Sequence, residues 1–130
     1  MPETPRVLIV DDEEIFCRSM MKVLTLRKIP VMTVSSGETA MAELVKTPYD
    51  VVVLDIKMPG IGGIELLKWM KEKKLPSEVI ILSGHASMGV ALEAVKLGAY
   101  DYLMKPCDIE ELLLKISLAF ECGQEKAKCR

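Results

Sequence analysis

Long hydrophobic runs are missing from this chain. Its apolar stretches break off after a few residues, far short of the ~20 that a membrane-spanning helix needs. A strong charge of one sign is missing too. Lys and Arg number 17 against 19 Asp and Glu, a formal charge of −2. No basic stripe and no nucleic-acid motif points to a nucleic-acid surface. The cluster Lys71, Lys73 and Lys74 reads instead as a solvated helix end, where cations suit the helix dipole. The four cysteines, Cys17, Cys107, Cys122 and Cys129, form no CxxC pair, which excludes the usual zinc spacing. Reduced thiols in a cytoplasmic protein are the simplest reading. The opening MPETPRVLIV has no long apolar segment and carries Glu3, so no secretory signal is expected. Internal repeats, low-complexity tracts and linkers are also absent.

What is present is ordinary for one globular domain. Half of the 130 residues are hydrophobic and 28% are charged, a soluble composition. That length can bury a core without staples. Two textures alternate along it. Short, nearly continuous apolar runs lie at Val7–Val10, Val31–Val34, Val51–Leu54 and Val79–Leu82, with a weaker one at Tyr100–Met104. Such runs suit strands buried on both faces of a parallel sheet. Amphipathic stretches of helical length separate them. Glu13–Arg27 places Phe16, Met20, Val23 and Leu24 at helical spacing. Ser35–Lys46 opens with Ser35-x-x-Glu38, a capping-box pattern. Gly63–Lys74 is followed by Ala86–Leu97, which stops at Gly98, and then by Asp108–Glu121, which starts on an aspartate cap. Gly123–Arg130 is polar and is expected to fray. The expectation is an α/β fold with helices on both faces of the sheet and right-handed crossovers.

The charged residues fall where these strands end. Asp11 and Asp12 follow the first, Asp55 ends the third, Ser83 the fourth and Lys105 the fifth. In a parallel sheet all these ends share one edge, the edge where open α/β folds bind ligands. Any one of these residues alone reads as a solvated loop position. Together they bring three acids, a hydroxyl and an ammonium to one place. Converging acids repel, and a hard divalent cation with oxygen ligands relieves that repulsion. Mg2+ fits. Lys105 can then pair with a phosphoryl oxygen and Ser83 can donate to one, the electrostatic requirements of phosphoryl transfer. The carboxylate of Asp55 can itself act as nucleophile and form an acyl phosphate. Gly60, Gly62 and Gly63 in the following loop tolerate unusual backbone angles and close approach to the ion.

Four segments in this order and spacing, VLIVDDEE, VVVLDIKMPGIGGIELL, VIILSGHAS and GAYDYLMKPCDIEEL, closely resemble the receiver domains of bacterial two-component response regulators, the CheY-like superfamily. The resemblance covers nearly the whole chain. It implies a doubly wound, flavodoxin-like sheet of five parallel strands in the order 2-1-3-4-5, flanked by five helices. It implies a receiver unit over residues 1–122 and a polar tail over 123–130, with no output domain. It also implies roles. Asp55 takes a phosphoryl group from a sensor histidine kinase or histidine phosphotransfer protein. Asp12, Asp55 and the Lys57 backbone carbonyl bind Mg2+, and Asp11 acts through water. Lys105, whose bond to Pro106 is expected to be cis, pairs with the phosphoryl group. Ser83 and Tyr102 form the switch. Lys57 and His85 stand at positions that tune the phosphoryl lifetime.

His85 is the only histidine and is not in a kinase phosphoacceptor context, so the phosphoryl group must come from outside the chain. Leu114 and Leu118 lie off the core stripe of the last helix, and Val90, Ala94 and Leu97 off that of the one before. A wide core face explains part of this. The other reading is a homodimer or partner surface formed by the last two helices and the fifth strand. Trp69 reads as partly buried packing. Three competing functions are weaker. An aspartyl phosphatase usually has a second acid two residues after its nucleophile, where this chain has Lys57. A flavin-binding domain wants a phosphate loop after the first strand, where Asp11 and Asp12 would repel it. A degenerate receiver, acting only as a binding module, usually lacks the acceptor, the acid pair or the lysine. The expected role is therefore a signalling phospho-acceptor rather than an enzyme, without direct contact to nucleic acid or membrane.

Overall fold

Runs of Val, Ile and Leu form strands here because helices cover them on both sides. In the computed structural model, which describes residues 4–84 and 87–128, β1 (Val7–Val10) and the apolar part of β3 (Val51–Asp55) are wholly buried. β4 (Glu78–Ser83) is buried throughout. The outer strands, β2 (Val31–Val34) and β5 (Asp101–Met104), are partly covered. The sheet is parallel, in the order β2-β1-β3-β4-β5.

Side chains alternate across a strand, and each face has its own core. Leu8, Val10, Val52, Leu54 and Ile81 pack under α2 (Gly37–Lys46), α3 (Gly63–Glu72) and α4 (Met88–Lys96). Val7, Ile9, Val53, Ile80 and Leu82 pack under α1 (Glu14–Leu26) and α5 (Ile109–Lys128). Each buried aliphatic side chain contributes about 1.5–3 kcal/mol. This is the doubly wound architecture that the alternating sequence pattern implies.

Several boundaries differ from the sequence reading, each for a local reason. The cap of α2 is Ser36, not Ser35. The Ser36 hydroxyl accepts from the Thr39 backbone N–H at 3.1 Å, and Thr39 Oγ1 accepts from Ser36 N–H at 3.3 Å. The box is therefore Ser36–Thr39, one residue later than Ser35–Glu38. α5 does not stop at Glu121 but continues through Gly123 to Lys128. Its last turns lie against β4, where Lys126 Nζ donates to the buried Glu78 carboxylate at 2.9 Å. Two lysines in that last turn also suit the helix dipole. Ala94 is buried in the core, so it is not part of an outward surface. Val90, Leu97, Leu114 and Leu118 are exposed as expected. Trp69 is half-buried against the α2–α4 side core, and Asp108 caps α5, its Oδ1 accepting from Glu110 N–H at 3.0 Å.

Candidate functional site

Register alone brings the strand ends together. Val10 pairs with Leu54, so Asp11 and Asp55 come next on neighbouring strands. Leu82 pairs with Asp55, and Ser83 with Met104, the residue before Lys105. Backbone bonds hold the edge in place. Asp11 N–H donates to Val34 O at 3.1 Å, Ile56 N–H to Leu82 O at 3.0 Å and Lys105 N–H to Ser83 O at 2.8 Å. The Lys105–Pro106 peptide is cis, as the resemblance implies.

Two glycines shape the loop after Asp55, in different ways. Gly60 takes φ +77°, a left-handed conformation that other residues adopt at a cost. Gly63 starts α3 against the end of β3. A Cβ there would lie 2.7 Å from Ile56 Cα and 2.8 Å from Asp55 O. Gly62 has an ordinary extended backbone, and its N–H donates to Glu65 at 3.2 Å. The close approach these residues permit is thus between α3 and β3.

The carboxylates converge. Oxygens of Asp11, Asp12 and Asp55 lie within 4.8 Å of one another. Asp11 is fully buried and Asp55 nearly so, while Asp12 is exposed. Asp11 Oδ1 accepts from the Glu13 backbone N–H at 2.9 Å. Asp11 Oδ2 is the one buried side-chain polar atom without a hydrogen bond among the described residues. Its contact is the ion pair with Lys105 Nζ at 2.6 Å. Lys105 also contacts Glu13 and stands 3.7 Å from Asp55 Oδ2. Asp55 Oδ1 accepts from Lys57 N–H at 3.3 Å.

Burial, then the Asp11 carboxylate, pushes the Asp55 carboxyl up to about 6, with Lys105 pulling the other way. Burial alone would lower the Lys105 ammonium, but its contacts with Asp11 and Glu13 outweigh that and raise it. The lysine stays charged and Asp55 remains mostly ionised at neutral pH. Three clustered carboxylates, two of them buried, and an all-oxygen donor set fit a hard divalent cation, so the residues present suit Mg2+.

Ser83 is buried at the site, and its hydroxyl donates to Gly84 O at 3.0 Å. Tyr102 is half-buried, packed against the α2–α4 side core. The Lys57 side chain is exposed. His85 lies outside the described residues. Three neighbours went unnoticed in the sequence. Glu13 contacts Lys105, and the Phe16 ring lies 4.9 Å from its ammonium. The Cys17 thiol donates to Asp11 O at 3.2 Å; burial, then Asp11, pushes it up to about 11, so it stays protonated and inert. The run of acids in VLIVDDEE was the available signal for Glu13; Phe16 and Cys17 gave none beyond helical spacing.

The chain is similar to known proteins along nearly its whole length. The profile of the response regulator receiver domain matches residues 7–117. Regulatory protein AtoC of Escherichia coli K12 is 34% identical over 125 residues, covering 96% of this chain and 27% of AtoC. Transcriptional regulatory protein FixJ of Bradyrhizobium diazoefficiens is 33% identical over 122 residues, 94% of this chain and 60% of FixJ. The chain therefore spans only part of these curated relatives. The receiver domain of the Francisella response regulator 1452 superimposes with a TM-score of 0.84 at 31% identity, covering 91% of this chain and 98% of that one.

Proposed function

This chain belongs to the response regulator receiver domain family, and from that premise we propose that it accepts a phosphoryl group on Asp55 from the phosphohistidine of a sensor kinase or phosphotransfer protein. The observation that carries this reading is the meeting of Asp11, Asp12 and Asp55 within 4.8 Å, with the Lys105 ammonium 3.7 Å from Asp55. An acid pair, an acceptor and a lysine are the parts that phosphoryl transfer to a carboxylate requires.

An oxygen of the ionised Asp55 attacks phosphorus. The P–N bond breaks, the imidazole keeps the electron pair and takes a proton from solvent, and an acyl phosphate forms. Lys105 then pairs with a phosphoryl oxygen. Asp12, Asp55 and the Lys57 carbonyl would hold Mg2+, with Asp11 acting through water. When bound there, the ion offsets the acids and the charge on the transferring group. The Ser83 hydroxyl turns from Gly84 O toward the phosphoryl group, and Tyr102 turns inward behind it. The added charge shifts an existing equilibrium between two conformations. Lys57 and His85 tune how long the phosphoryl group lasts. The exposed Val90, Leu97, Leu114 and Leu118 support a homodimer or partner surface beside β5. The protein works in the cytoplasm.

Incubation with acetyl phosphate and Mg2+, read by intact mass, tests this. One phosphoryl group is gained by the wild type and none by Asp55→Asn or with a chelator. Equal labelling of Asp55→Asn would refute the assignment.

A further inference from the structure

Lys105 is held from two sides. Asp11, fully buried, lies 2.6 Å from its ammonium on the sheet side. The first turn of α1 supplies the other side, with the Glu13 carboxylate in contact and the Phe16 ring 4.9 Å away. Glu13 is fixed for this by its backbone. It caps α1 in an extended conformation (φ −81°, ψ 104°), and its N–H donates to Asp11 Oδ1. Asp55 Oδ2, at 3.7 Å, lies beyond hydrogen-bond range.

We infer that Glu13 is a positioning residue for phosphoryl transfer: with Phe16 it parks the Lys105 ammonium on the α1 side, and the ammonium leaves Glu13 as it engages the phosphoryl group on Asp55. This rests on the reading of Asp55 as acceptor and Lys105 as phosphoryl partner. An ammonium has three donors, and Asp11 and Glu13 occupy its near side. Motion toward Asp55 must loosen one of these contacts. Asp11 is fully buried and also held by the Glu13 backbone N–H, so its contact is the harder one to open. The Glu13 side chain is 61% exposed, so water takes over when the contact opens, and Glu13 is the one released. Its hold is that of an exposed ion pair, a brake of about 1.5- to 5-fold.

The test compares wild type, Glu13→Gln, Glu13→Asp and Glu14→Gln. Glu14 is the adjacent acid, but it pairs with Arg18 at the surface, so its variant controls for lost charge alone. Two measurements are made: the initial rate of labelling by acetyl phosphate at low and high salt, and the 15N resonance of the Lys105 ammonium in the apoprotein. The expected result is about 1.5- to 5-fold faster labelling of Glu13→Gln at low salt. That gap narrows at high salt, where the wild-type contact is screened. Glu14→Gln matches wild type, Glu13→Asp falls between, and the ammonium resonance moves in the Glu13 variants but not in Glu14→Gln. Labelling of Glu13→Gln at or below the wild-type rate, with the resonance unmoved, overturns the inference while leaving Asp55 as acceptor. If wild type is labelled on Asp55 neither by acetyl phosphate nor by a phosphohistidine donor, the acceptor reading itself fails. The resonance then still decides whether Glu13 holds Lys105.

Discussion

Replacing Asp55 with Asn should make the metal-free protein more stable. The magnitude follows from the site. Burial and the Asp11 carboxylate raise the Asp55 carboxyl from 3.8 to about 6. A group with a raised folded-state pKa stabilises fully below its unfolded value, and that contribution is lost as pH rises through the folded value. For Asp55 the loss therefore runs from about pH 4 to about pH 7. Roughly two units at 1.36 kcal/mol each give a cost of about 3 kcal/mol above pH 7, about half of it at pH 5 and about a fifth near pH 4. Asp55 is only 7% exposed, so solvent screens little of this. Asn keeps an acceptor oxygen for the Lys57 N–H and removes the charge. Urea unfolding in EDTA, followed by Trp69 fluorescence, reads the difference. At pH 7.5 the midpoint of Asp55→Asn should lie about 1–3 M above wild type, given the urea slopes of small proteins. At pH 4 the gap should shrink to about a fifth of that. Equal stability at pH 7.5, or a gain that does not change with pH, would show that like-charge repulsion at Asp55 is not what the fold tolerates there.

Mg2+ should narrow the same gap from the other side, stabilising wild type by about 1.4 kcal/mol at tenfold excess over its dissociation constant, and Asp55→Asn by less; titration of the midpoint with Mg2+ checks this. Lys105→Met should destabilise the apoprotein by about 3–5 kcal/mol, because it leaves the buried Asp11 without its counter-charge; it should also slow labelling by acetyl phosphate, and unchanged denaturation in EDTA would contradict it. Gly63→Ala should lower stability by about 1–3 kcal/mol, since the new Cβ meets backbone atoms of Asp55 and Ile56 that cannot turn aside; thermal unfolding reads it. Ser36→Ala should cost about 1 kcal/mol and Ser35→Ala much less, a direct check by denaturation of which serine caps α2.

The parts of this molecule legible in its sequence are those governed by period and by strand ends. β-branched runs mark strands covered on both faces, and in a parallel sheet the residue after each run reaches one edge. That is why Asp11, Asp12, Asp55, Ser83 and Lys105 can be gathered to one place from the order of residues alone. What stays hidden depends on contacts distant in sequence. The local pattern favours Ser35, which has Glu38 three residues on, over Ser36, which has Thr39. The choice falls to Ser36 where Gly37 approaches Ile61, close enough that a Cβ would sit 2.7 Å from Ile61 O. Gly123 reads as a helix end because glycine costs about 1 kcal/mol in a helix interior. The Lys126–Glu78 pair, 48 residues apart, helps hold the helix beyond it. Ala94 reads as outward-facing because the α4 stripe is wide. Glu13 is indistinguishable from an exposed helix-start acid, since its partner lies 92 residues away.

These observations meet at Lys105. Asp11, Glu13 and Asp55 all lie within 4 Å of its single ammonium. Without a cation, that ammonium is the main counter-charge for the cluster, and its raised pKa records the load. In the proposed function the same ammonium must also reach a phosphoryl oxygen. It cannot serve both purposes at full strength. Asp55 shows the consequence, since its carboxyl stays raised to about 6 although Lys105 is 3.7 Å away. A lysine placed squarely on Asp55 would pull that value down and stabilise the resting fold, but it would also hold the acceptor oxygen in a contact that attack must break. The observed compromise leaves Asp55 underpaired, ionised above about pH 6 and available. The fold therefore carries an electrostatic cost at Asp55 that leaves its carboxylate free for the proposed reaction, and replacing Asp55 to relieve this cost should stabilise the protein and abolish labelling together.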